Sequence, residues 1–86
     1  MEYTKLVKKY NSFKREEFTD YFSVIGFEKE EGFFEGDGWK VHVGEEEKLH
    51  FQAFDLPSVK LTIIVREDIR DQFVKDLMIS FLKGGG

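Results

Sequence analysis

Asp37-Gly38 is the feature that most narrows what this chain can fold into. Asp-Gly between two apolar runs marks a two-residue hairpin, because a type I′ turn needs positive φ at both central residues. Gly32-Phe33-Phe34-Glu35-Gly36 stands before the turn and Trp39-Lys40-Val41-His42-Val43 after it. The two-residue loop fixes the register. Phe34 falls opposite Val41 on the core face, and Phe33 falls opposite His42 on the other.

Alternation continues downstream in residues 49–54 and 59–65. The loops at 44–48 and 55–58 are short, which predicts a four-stranded meander. Alternation sends Trp39, Val41, Val43, Leu49, Phe51, Ala53, Val59, Leu61, Ile63 and Val65 inward. Lys40, His42, His50, Gln52, Phe54, Lys60, Thr62 and Ile64 point outward. Residues 1–25 read as helix, with Leu6, Val7, Tyr10, Phe13, Phe18, Tyr21, Phe22 and Ile25 at spacings of three and four. Ser12 is a candidate N-cap, and Gly26 a candidate left-handed C-cap. Residues 66–83 read as a second helix, with Ile69, Phe73, Leu77 and Phe81 in one stripe. The expectation is a two-layer α+β sandwich: a four-stranded antiparallel meander with N-terminal and C-terminal helices on one face. Residues 1–83 form one domain in this reading, and 84–86 form a flexible glycine tail.

Composition excludes several chemistries. The chain of 86 residues has no cysteine, so disulfides, thiolate zinc sites, iron–sulfur clusters and thiol nucleophiles are out. Its 17 acidic and 13 basic residues leave a formal net charge of −4, which opposes binding that depends on neutralising nucleic-acid phosphates. The longest apolar runs, Ile63-Ile64-Val65 and Leu77-Met78-Ile79, are far short of the ~20 residues that span a bilayer. A cytoplasmic protein with neither membrane nor nucleic-acid partner is expected. No cofactor fingerprint is present: the glycines at 32, 36 and 38 lack the strand–loop–helix context and the lysine of a P-loop. Glu45-Glu46-Glu47 reads as a solvated loop. No serine sits near a histidine in sequence, so no enzymatic activity is assigned.

Two surfaces are candidates for function. With a five-residue loop at 44–48, His42 falls opposite His50 on the outer sheet face, where opposed Cβ atoms lie about 4.5–5.5 Å apart. Phe33, Gln52, Phe54 and Ile64 surround them, which suits a small ligand or half a metal site. Zinc needs a third ligand, and none is evident, so no metal is assigned. The second surface is the C-terminal helix. Val74, Met78 and Leu82 form a second stripe beside the first, and this excess of apolar residues makes Val74, Met78, Phe81 and Leu82 the candidate oligomer interface. The leading expectation is a small non-catalytic protein-interaction module, a homodimer or a partner of another protein. The alternative is a ligand-binding or metal-binding protein built on His42 and His50.

Gly84-Gly85-Gly86 resembles the tails of ubiquitin-like carriers and sulfur carriers, whose C-terminal Gly-Gly is activated chemically. The resemblance is confined to the tail. Those families are strand-first and place a strand before the glycines, whereas this chain reads helix-first and helix-last, so the glycines are expected to be a frayed end. The helix–meander–helix order and acidic charge are also similar to small dimeric chaperones of secretion systems.

Overall fold

The computed structural model describes residues 2–82. Its order is β1 (Tyr3–Asn11), α1 (Arg15–Ile25), β2 (Phe27–Glu30), β3 (Phe33–Gly36), β4 (Trp39–Val43), β5 (Glu47–His50) and β6 (Asp55–Arg66). A 3-10 turn, Glu67–Ile69, leads into α2 (Arg70–Ser80). Among the described residues, six strands form one antiparallel sheet in the order β1-β6-β4-β3-β2, with β5 paired to β6 off that path. This overturns the expected four-stranded meander between two terminal helices. The glycine tail at 84–86 lies outside the described residues.

The N-terminal correction has a simple cause. Leu6 and Tyr10 are four apart, a spacing that satisfies both a helix and a strand. Val7 decides between them: it is 58% exposed while Leu6 packs on the core, so the alternation is period two. Tyr3, Thr4, Val7 and Tyr10 also favour a pleated strand. Ser12, at φ 79°, turns the chain after β1, and its N–H donates to the Pro57 carbonyl at 2.8 Å. The helix therefore starts after Lys14, whose N–H donates to the Glu17 carboxylate at 2.7 Å, and Ser12 is no N-cap.

The Asp37-Gly38 hairpin has the expected register, with Phe33 opposite His42 and Phe34 opposite Val41. Gly38 has φ +85°, but Asp37 does not take positive φ, so the turn is not type I′. β2 adds an unexpected strand outside β3, with a bulge between Glu28 and Glu30. The largest difference concerns β6, which begins at Asp55 and absorbs the expected loop. It pairs β1 from Tyr3↔Arg66 to Asn11↔Ser58 and β4 from Trp39↔Val65 to Val43↔Leu61. Its first residues pair β5, with Leu49 opposite Leu56.

Both helices cover one sheet face. Phe18 and Phe22 of α1 and Leu77 of α2 are fully buried against Phe34, Val41, Val43, Val59, Leu61, Ile63 and Val65. Each such side chain stabilises the fold by roughly 1.5–3 kcal/mol relative to exposure. Phe51 and Ala53, expected inside, are exposed. Phe81 caps the core, stacked on Phe18 with centroids 4.4 Å apart. Gly26 ends α1 in an extended conformation, φ −155°, and is not a left-handed cap.

Candidate functional site

Among the described residues the sheet face opposite the helices carries no helix, and its side chains form cross-strand rows. Val7, Thr62, His42 and Phe33 make one row, from β1 through β6 and β4 to β3. Lys5, Ile64, Lys40 and Glu35 make the next, and Lys9 faces Lys60 in a third. Phe33 and His42 stack with centroids 4.3 Å apart and planes at 25°. They line an open cavity of about 410 Å³ with Ile64, Lys40 and Thr62. The Glu35 carboxylate bridges Lys29 at 3.6 Å and Lys40 at 3.4 Å beside this cavity.

His50 is not there. β4 takes β6 as its neighbour, so His42 stands opposite Thr62 and His50 stands opposite Asp55. Those β6 positions are seven residues apart, about 23 Å along a strand. The histidine pair does not form, because the sheet skips β5. The His50 Nδ1 lies 2.8 Å from an Asp55 carboxylate oxygen instead. Gln52 and Phe54 sit at the tip of the β5–β6 hairpin, away from the Phe33–His42 stack. There the Phe51 N–H donates to the Phe54 carbonyl at 2.8 Å, and the two rings stack at 5.2 Å, both about half exposed. Of the expected ligand set, Phe33, His42 and Ile64 share one cavity. Among the described residues, no group of three or more His, Cys, Asp or Glu side chains could hold a metal ion.

The C-terminal helix divides the expected interface set. Phe81 packs in the core against Tyr10, Phe13, Phe18 and Tyr21, so it is not surplus surface. Met78 and Leu82 are exposed, with Ile79 beside them, and Val74 is half-buried. Val74, Met78 and Ile79 of α2 and Leu6 of β1 line a groove of about 520 Å³ along the β1 edge. Lys8, Arg70 and Lys75 stand on its rim, with one acid, Asp71. Sequence reading missed this groove because it took β1 for helix. The strand-favouring residues Tyr3, Thr4, Val7 and Tyr10 were the available signal.

Two groups show perturbed acidity. Burial, aided by the neighbouring Tyr21, pushes the Tyr10 phenol above its ordinary value of 10.0. A hydrogen bond to Asp68 holds the Arg66 guanidinium still more firmly protonated. The Arg66 guanidinium also reaches Asp37 at 3.7 Å, and the Arg66 backbone N–H donates to the Gly38 carbonyl at 2.8 Å. These contacts tie the hairpin turn to the end of β6.

No helix among the described residues is long and apolar enough to cross a membrane. No curated protein and no solved structure matches the chain. A family model described as archaeal MoaD-like protein does match, over residues 7–86. The match runs from the middle of β1, through the sheet and α2, to the terminal glycines: the chain belongs to the archaeal MoaD-like protein family.

Proposed function

We propose that this chain is a small non-catalytic module that works by binding protein, with a second copy of itself as one partner. The observation behind this reading is where the uncovered apolar side chains gather. Phe51 and Phe54 stand on a hairpin tip, Met78 and Ile79 are exposed on α2, and Leu82 is exposed just beyond its end. Scattered exposed apolar residues need no explanation, but clusters of this kind mark interaction surfaces. Native mass spectrometry tests the homodimer. The expected result is a dimer that becomes monomeric in the Phe51→Ser, Phe54→Ser variant. A monomer at the highest soluble concentration overturns it.

A second reading has its own support. The family match includes Gly84-Gly85-Gly86, and β1 makes the chain strand-first, as in the carriers whose tails it resembles. Against that stands α2, a helix where those carriers have a strand. In this reading the chain carries a group on its activated C-terminal carboxylate. Intact-mass analysis of the protein recovered from its native cells tests it. A modified terminus supports the carrier, and an unmodified one removes it.

A further inference from the structure

β1 is the long free edge of the sheet. It runs nine residues, and among the described residues no strand pairs with its outer side. Such an edge offers a row of backbone donors and acceptors to any strand that can lie against it. Its charge is one-sided: Lys5, Lys8 and Lys9 are present, and no acid occurs between Tyr3 and Asn11. None of these lysines makes an ion pair among the described residues. Lys9 stands directly opposite Lys60, a like-charge cross-strand pair that weakens the sheet by itself.

We infer that the β1 edge takes an extended acidic segment of a partner protein as an additional strand, with acidic and apolar residues alternating. This rests on the protein-binding reading above and names its surface and partner. A strand added to β1 would lie about 4.8 Å away, with side chains alternating between the two sheet faces. On the helix side they enter the groove floored by Leu6, Val74, Met78 and Ile79. On the open side they meet Lys5 and Lys9. The groove asks for apolar residues at every second position, and the lysines ask for acids between them.

A second copy fits this edge poorly. Antiparallel pairing of β1 with its own copy over the full strand centres on Val7 and sets Lys5 against Lys9 twice. The opposite sheet edge, β2, is acidic but only four residues long and bulged at Glu28–Glu30. Bulges and short length blunt edges of this kind. Joining β1 to β2 of another copy would also be head-to-tail, which builds rings or filaments and not a two-fold dimer.

The test uses the full chain and a fluorescein-labelled decapeptide of alternating Glu and Val, followed by fluorescence anisotropy and backbone amide NMR. The expected result is saturable binding that weakens with salt, with shift changes concentrated in β1. A Lys–Val peptide should not saturate. N-methylation of alternate peptide residues should weaken binding at least about tenfold by removing edge hydrogen bonds. Lys5→Glu with Lys9→Glu should weaken it by a similar factor, with the amide protection of β4 and β6 unchanged. Absence of saturation overturns the inference. So does an N-methylated peptide that binds like its parent, or shifts centred on Phe33 and His42. Protection, in the protein alone, of the β1 amides that face away from β6 would give the edge to a second copy and would also overturn it. A stable dimer by native mass spectrometry, with no peptide binding, would remove the edge assignment and leave the protein-binding reading standing.

Discussion

Trp39 shows how closely single residues are fitted here. A Cβ added to Gly36 would lie 2.2 Å from the Trp39 Nε1, and one added to Gly26 would lie 2.2 Å from the Glu35 carbonyl oxygen and 2.6 Å from the indole. Neither clash is with a flexible side-chain end. Gly36→Ala should therefore destabilise the fold by about 1–3 kcal/mol, read as a lower urea midpoint at unchanged slope. Phe81 gives a sharper contrast. Phe81 is partly buried and stacks on Phe18, which predicts a loss of roughly 1–3 kcal/mol for Phe81→Ala, whereas Met78→Ala, at an exposed position, should stay within about 0.5 kcal/mol. Thermal or urea unfolding of the two variants separates core from surface on one helix. Tyr10 adds a pH dependence. Its phenol is raised in the folded state, so the folded chain holds the proton more tightly than the unfolded one. That contribution to stability is complete below the ordinary tyrosine value of 10.0 and is lost as pH rises through the raised value. Ultraviolet titration of the protein beside Tyr10→Phe should show one late-titrating phenol missing from the variant.

At the scale of elements, local order was legible and partner choice was not. The β3–β4 register followed from Asp37-Gly38 and the alternation beside it, since a two-residue loop leaves the strands no other alignment. The core stripe of α2 was legible as well, with Leu77 fully buried and Ile69, Phe73 and Phe81 packed against the core. Placing His50 required knowing which strand lies beside β4. The sheet brings residue 62 there rather than residue 50, and no local pattern encodes that choice. This is why the cavity beside Phe33, His42 and Ile64 was partly legible while His50, Gln52 and Phe54 were assigned to the wrong place. β1 was misread because a spacing of four cannot distinguish the two periodicities, and only the exposure of Val7 settles it. The β5–β6 hairpin carries a prediction of its own. Its tip rings touch each other and stand outside the core, so at a concentration where both proteins are monomeric Phe51→Ser with Phe54→Ser should leave the melting temperature nearly unchanged. A clear drop would mean that the hairpin supports the fold.

For the molecule as a whole, the two sheet faces divide the work. One buries the aromatic and β-branched residues that hold both helices, and the other stays uncovered with its lysines and the Phe33–His42 stack. The net charge of −4 averages over these unlike surfaces, so it describes no single one of them. β6 is the strand on which everything converges: β1, β4 and β5 all pair with it, and Val59, Leu61, Ile63 and Val65 on it are fully buried. A fragment ending at residue 54 would keep β1, α1 and the β3–β4 hairpin but lose their common neighbour. Its amide spectrum should be undispersed. The same convergence sets a timetable during synthesis. β1 leaves the ribosome well before β6, and only residues 58–66 pair with it, so it waits unpaired while the residues between the two strands are being made. Lys5, Lys8 and Lys9 put charge on that waiting strand, and charge of this kind opposes its association with other unfinished chains.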